Sequence, residues 1–588
     1  MLRPSRRQMG KECREMFREL LTEWKALHHN KKYCLLLILT AVLSYGYLIT
    51  HHTVGIDDTP YLYYFEEGLS AIVGRWVLFV LNKLVAIAEF APFVTDLAGV
   101  LILMAAVGVW CVLWKQIFGD RIPEWGYWLF SCLFLSNPLL SEVFTYYLHN
   151  GVALGYLCSG ISLWYFWHAV RKQQGGLIKL GQALGLSALF LTIAIGCYES
   201  FMIVYIVGVC LMLCSVRMQI TERRIPVFAN LGKGAAVTVA AIVCRGLTVK
   251  AVTVCFGLQY LQDEAVHRSI TEMVGWILEP EALAELGMIL KRVYVMYGVF
   301  GLAYYPIAIY VLALVLTLII TIHRGIGRKD PWIPLLAVAA MAASYLLVLI
   351  EGKATLYRAA QFLPVFSAWS LLLAASECRS LSEWLVGIVD GKVSGQRSFG
   401  QIIIQKISTV PLSIGAFCLC VILWNQCTDM NRWFYVDSLK YEDAKNTMNQ
   451  IAYELEKSYD ISKPVIFTGT YHMPQSIIQD AYVPYGSTVY YRMHRLTDFL
   501  DEHLLEKFYR EYGVWVAQTP SLSVLDWGRY AFGTDEELVR FFAMHGHEIQ
   551  PLLDTSLYAP AEEYSLNLPS FPQRGSIVDM GDYIIVHF

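Results

Sequence analysis

HHTVGIDDTPYLYYFEEGLSAIVGR, residues 51–75, followed by WVLFVLNKLVAIAEFAPF, residues 76–93, is the stretch whose reading decides the fold. Asp57 and Asp58 sit together, then Glu66 and Glu67, then Gly74-Arg75-Trp76. A long apolar run at 33–50 precedes them, and acids set this closely against a membrane segment are costly unless they have a task. The run 76–93 is apolar enough to be a span. Counting it as one would reverse the side of everything downstream.

Composition fixes the class. The chain has 588 residues, 56% hydrophobic and 16% charged, with mean hydropathy +0.45; soluble domains run near 25% charged. Apolar runs recur at about 33–50, 96–114, 125–141, 151–169, 180–197, 200–216, 227–244, 297–322, 331–350, 359–376 and 409–427. They predict an all-α polytopic bundle of about eleven transmembrane helices. Charge then orients it. With the N-terminus in the cytoplasm, the inner segments hold 24 Lys and Arg and the outer stretches 51–95, 142–150, 245–296 and 351–358 hold 9, the bias that membrane insertion favours. That count holds only if 76–93 does not cross. The run also carries Asn82, Lys83 and Glu89, so it is expected to lie along the outer surface, with a re-entrant segment as the alternative.

Three domains follow: a basic amphipathic cytoplasmic helix over 1–32, a transmembrane domain over 33–427 whose outer loop 51–95 carries the acidic pair, and a polar region over 428–588 outside the membrane. In the last, YEDAKNTMNQIAYELEKSYD (441–460) has helical periodicity and PVIFTG (464–469) reads as a buried strand ending in a Gly turn. TDEELVRFFAMHGHEI (534–549) opens on a capping box of Thr534 and Glu537, and YIIVHF (583–588) reads as a last strand. This predicts a small extracytoplasmic α/β domain. The cytoplasmic segment 390–400, DGKVSGQRSFG, reads as a flexible connector. The 14 cysteines fall almost entirely in apolar runs and behave as small buried residues. A net charge of −3 gives no global pull toward nucleic acid.

Candidate chemistry gathers on the outer face. A carboxylate at Asp57 or Asp58 suits a general base for a hydroxyl; a solvated turn, with Asp58 capping a helix that Thr59-Pro60 begins, accounts for the pair equally. The short loop Glu351–Arg358 offers Lys353, Tyr357 and Arg358. Arg gives bidentate contacts to phosphate and Lys a point charge, although anchoring at the interface favours the same residues. Tyr198-Glu199 occupies a very short turn between two spans. Glu142 follows Ser136-Asn137-Pro138 and precedes Tyr146, Tyr147 and His149. Both acids are intramembrane candidates, or helix-end charges reaching water. The segment 245–296, with Arg245, Asp263, Glu264, His267, Arg268, Lys291 and Arg292, is amphipathic and has two readings, a cover over the site and, for most of these residues, a solvated face; Glu66 and Glu67 read as a solvated face. There is no GxxxxGK[ST], no GxGxxG at a strand-to-helix turn and no HExxH.

Ile56-Asp57-Asp58 and Gly74-Arg75-Trp76, with Ser136-Asn-Pro, Tyr198-Glu199, Arg358, Asn431-Arg-Trp-Phe-Tyr-Val-Asp437 through Asp443-Ala444, and PVIFTG, resemble the membrane glucosyltransferase type II family of serotype-converting bacterial enzymes. The resemblance implies a GT-C-like fold in the bacterial inner membrane. It implies transfer of a hexose, glucose first among candidates, from a polyprenyl-phosphate donor to a surface glycan such as O-antigen. In that reading Asp57 or Asp58 is the base. Arg358, Lys353 and Arg75 contact the donor phosphate, and Glu199, Tyr198, Glu142 and Tyr357 support the site. No cofactor is required; a divalent cation fits the acidic pair. The partners are the lipid-linked donor, the glycan acceptor and the bilayer, with no nucleic acid. Where relatives often carry an Arg soon after the acidic pair, this chain has Thr-Pro-Tyr-Leu-Tyr-Tyr, which leaves the donor sugar open. A flippase of lipid-linked sugars, or a polymerase or ligase of lipid-linked glycans, shares the topology.

Overall fold

The structure, a computed structural model, describes residues 6–53, 68–85, 91–144, 149–171, 176–219, 225–261, 308–343, 346, 359–392, 397–469, 535–552 and 554–588. Helix α1 (Arg6–His29) leads into α2 (Lys31–Thr50) through Asn30, whose side chain accepts from the amides of Lys32 and Tyr33. Such an N-cap satisfies donors that the first helical turn leaves open. The apolar stripe of α1 is buried at Met16, Leu20 and Leu27, so α1 is packed onto the bundle and not loose beside it. Trp24 Nε1 donates to the Ala105 carbonyl at 3.3 Å.

Then come α3 (Leu69–Ile72), α4 (Trp76–Val85), α5 (Pro92–Phe118), α6 (Glu124–Leu135) and α7 (Leu139–Phe144). The next are α8 (His149–Arg171), α9 (Gly176–Cys197), α10 (Phe201–Gln219) and α11 (Val227–Cys255). The bundle closes with α12 (Ala308–Arg328), α13 (Trp332–Ala343), α14 (Phe362–Lys392) and α15 (Arg397–Ser458). Among the described residues, six helices are long and apolar enough to cross a membrane: α2, α5, α9, α10, α11 and α15. Helices α6, α8, α12, α13 and α14 occupy the other five apolar runs.

Of the run 76–93, the structure describes α4 and residues 91–93, which lead into α5. Val77, Leu78 and Phe79 are buried, and Gly196 on α9 has no side chain where the Trp76 indole and Val77 pack.

The core is aromatic and tied by indole donors. Trp110, Trp114, Trp164 and Trp369 are fully buried. Trp110 Nε1 donates to the Tyr156 carbonyl at 3.0 Å, Trp164 Nε1 to the Met16 carbonyl at 3.1 Å and Trp369 Nε1 to Ser215 Oγ at 3.0 Å. Buried indoles need such partners, and these join helices distant in sequence. All the cysteines whose state is described are free thiols.

Three boundaries differ from expectation. The eleventh apolar run and the polar helix at 441–460 are one helix: α15 has 62 residues, about 93 Å of continuous rise, so no break falls at 427/428. No Gly or Pro falls between Cys427 and Tyr441 to stop it, and Pro411 lies inside the helix. Next, α14 runs to Lys392 and α15 starts at Arg397, so helix takes up most of the expected connector 390–400. Third, α11 continues to Cys255, eleven residues past the expected span end at 244, and carries Arg245 and Lys250 within it.

The C-terminal region forms the expected α/β layers. A four-stranded sheet has the order β2–β1–β4–β3, with β1 (Pro464–Thr468), β2 (Gln550–Pro551), β3 (Ile577–Asp579) and β4 (Ile584–His587). Strand β1 is parallel to β2 and β4, and β3 is antiparallel to β4. On one face, Met448, Ile451 and Leu455 of α15 pack with Val465, Phe467 and Val586, together with Leu538, Phe541 and Phe542 of α16 (Asp535–Met544). On the other, Ile466 and Ile585 pack with Tyr558 and Ala561 of α17 (Tyr558–Ser565). A strand covered on both faces explains why PVIFT is an unbroken apolar run and not an alternating one. Gly469 follows at φ 75°. Helix α16 is described from Asp535 onward; Thr534 and the Glu537 side chain, the two members of the expected capping box, lie outside the described residues.

Candidate functional site

The turn between α3 and α4 is built on Gly74, whose φ is 94°. Any side chain there is strained, and a Cβ would also meet the Arg245 guanidinium. The turn presents Arg75. Its Nη2 lies 3.5 Å from Glu199 Oε1, and its guanidinium carbon stands 4.3 Å from the centre of the Tyr198 ring. One cation thus meets a carboxylate and an aromatic face, two separate attractions that fix its direction.

Tyr198 and Glu199 are supplied by the short turn between α9 and α10. Arg245 comes from α11, donates to the Val73 carbonyl at 3.4 Å and feels the Glu199 charge. Glu199 thus pairs with Arg75 and acts electrostatically on Arg245. The structure brings together three of the sequence candidates, Arg75, Tyr198 and Glu199. It adds Arg245, which the sequence reading had left among the charges of the amphipathic segment 245–296 without a role of its own. Its signal was hidden because the apolar run ends at 244, just before it.

Exchange of Gly74 for Ala is expected to add about 1–3 kcal/mol of backbone strain and to displace Arg75 from Glu199. A drop of about tenfold or more in turnover, at unchanged protein level in membranes, is the expected readout. Wild-type turnover would remove this turn from the site.

A second set of polar groups pins the ends of the flanking helices. Ser136 Oγ donates to Gln426 Oε1 at 2.9 Å, and Asn137 Nδ2 to Ser367 Oγ at 3.1 Å. These two bonds put one level of α14 and α15 beside the end of α6. Beyond that level, Tyr156 OH donates to the Gln361 carbonyl at 2.7 Å, and Thr53 Oγ1 donates to Asp437 Oδ2. The ring of Tyr47 meets that of Tyr435 edge-on at 5.7 Å. Thr53 and Gln361 thus stand at the same end of the bundle. Asp96, Asp429 and Asp437 are buried at 4%, 4% and 2% exposure, at the starting end of α5 and on α15 past Gln426. Buried acids are costly without partners, and nothing in the hydropathy pattern marked Asp437 or Asp96 in advance. The stretch 431–437 carried only its resemblance.

Asp57, Asp58, Lys353, Tyr357 and Arg358 lie outside the described residues, as do Glu66, Glu67, Tyr146, Tyr147 and the segment 263–292. Glu142 is placed on α7, its side chain outside the description. Among the described residues, no group of three or more His, Cys, Asp or Glu could hold a metal ion.

A family model described as glucosyl transferase GtrII matches residues 46–374. No curated protein and no solved structure matches the chain.

Proposed function

The chain belongs to the glucosyl transferase GtrII family, and from that premise we propose that it moves glucose from a polyprenyl-phosphate carrier to a glycan outside the bacterial inner membrane. The eleven helical runs cross the membrane, the N-terminus is cytoplasmic and the C-terminal α/β region stands outside. Asp57 or Asp58 takes the proton of the acceptor hydroxyl as that oxygen attacks the anomeric carbon. The bond from that carbon to the lipid phosphate breaks. Arg358 and Lys353 stabilise the phosphate as it leaves, where charge develops most. Arg75, held by Glu199 and Tyr198, adds positive potential at the same face, with Tyr357 and Glu142 in support. A divalent ion at the acidic pair would lower the charge repulsion between the two carboxylates; the proton transfer does not need it.

What supports this most is the common anchoring of the two loops. Asp57 is four residues from Thr53, a reach of at most about 14 Å, and Arg358 is three residues from Gln361, at most about 11 Å. Thr53 and Gln361 are pinned to one end of the bundle. Outer acids and outer cations are the two halves that transfer from a lipid phosphate requires. The matched region, 46–374, contains both. Mass analysis of the surface glycan from cells with and without the protein tests the proposal. A gain of one hexose per repeat is expected; glycans identical in mass would refute it.

A further inference from the structure

A cleft of about 500 Å³ lies between the last turns of α15 and the loop 571–577. Its lining is chemically distinctive. Tyr453 is 58% exposed, with Lys457 Nζ 5.2 Å from its ring centre. Gln450, Glu454, Gln573 and Arg574 share the cleft, and their side chains neither hydrogen-bond nor ion-pair with another described residue. A cavity of about 570 Å³ at the opposite end of the bundle contrasts with it. There Arg324 is held by Glu377 at 2.7 Å and Arg379 by Glu383 at 3.1 Å, so two of its guanidinium groups are already paired.

An exposed aromatic ring beside uncommitted amides, a carboxylate and a guanidinium fits one ligand class well. A pyranose ring has an apolar C–H face that stacks on an aromatic side chain. Its hydroxyls are paired donors and acceptors, which amides and charged groups satisfy together. The cleft is not where transfer occurs. Tyr453 lies 16 residues beyond Asp437 on the same helix, about 24 Å along its axis. We propose that this cleft is a second glycan subsite, which holds a sugar unit of the polymeric acceptor several units away from the reacting hydroxyl. This rests on the acceptor being a surface glycan, as argued above.

The test uses the full-length protein in lipid nanodiscs and, as probe, polysaccharide purified from the surface of cells lacking the protein. Equilibrium dialysis reads binding, and transfer kinetics read the acceptor KM against kcat. Tyr453→Ala and Gln573→Ala are expected to raise the dissociation constant and the acceptor KM about tenfold, the scale of one lost stack. The kcat and the donor KM should hold, and Tyr453→Phe should bind as wild type does. Equal binding by wild type and Tyr453→Ala, or no binding by wild type, overturns the subsite. Polysaccharide binding that depends on Tyr453 without any transfer would instead refute the enzymatic reading and leave the subsite standing.

Discussion

Replacement of Asp57 or Asp58 by Asn, one at a time, is expected to cost at least one of the two variants about 10²–10⁴-fold in glucosyl transfer, the usual contribution of a positioned base. Asn keeps the shape and the hydrogen-bonding oxygen of Asp but cannot take a proton. The change therefore separates base chemistry from the turn that a solvated Gly-Ile-Asp-Asp-Thr-Pro loop would supply. If the acids only shape a turn, both variants stay near wild type, since Asn serves turns as well as Asp does. Glu66→Gln is the internal control. It sits in the same loop on what reads as a solvated helix face, and its activity is expected to hold. Protein level in the membrane, measured alongside, guards against loss of insertion.

The second large effect is on stability and lies at the other end of the bundle. Arg217 and Asp330 form a buried ion pair, with Arg217 Nε and Nη2 both 2.7 Å from Asp330 Oδ2 and side-chain exposures of 5% and 8%. Arg217 Nη1 also donates to the Ile225 carbonyl at 2.7 Å. Asp330 Oδ1 accepts from the Trp332 amide at 3.1 Å and so begins α13. This one contact joins α10, the entry to α11 and the turn between α12 and α13. Asp330→Ala strands a buried guanidinium, and loss of one partner of such a pair costs about 3–5 kcal/mol. A clear fall in the thermal midpoint in detergent is expected. Arg217→Met combined with Asp330→Leu removes both charges and should recover much of that loss, because an apolar pair of similar size is often as stable. A double variant as unstable as the single one would mean the pair acts through its geometry alone.

Much of the bundle was legible because hydrophobic length is a strong signal. Each of the eleven apolar runs carries a helix. The strands PVIFT and IIVH and the helix after Thr534 stood where their apolar pattern put them. The ends of helices were harder to see. Polar residues that stay helical give no stop signal, so α11 runs on through Arg245 and Lys250, and α15 runs from the membrane segment into the C-terminal core without a break.

In the site, Arg75, Tyr198 and Glu199 could each be picked out as charges or rings beside membrane segments. That they touch depends on how α4 packs against α9, which no local pattern encodes. Asp437 was harder still. Its partner, Thr53, lies 384 positions away, and an acid on a polar helix looks solvated until the fold buries it.

The most direct test of the account is donor choice in a defined system. Purified full-length protein in proteoliposomes is given the polysaccharide acceptor and radiolabelled glucose, supplied either on polyprenyl phosphate or as UDP-glucose. Label is predicted to pass to the polysaccharide from the lipid-linked donor and not from the nucleotide. Transfer from UDP-glucose, with the lipid-linked sugar inert, would contradict the account.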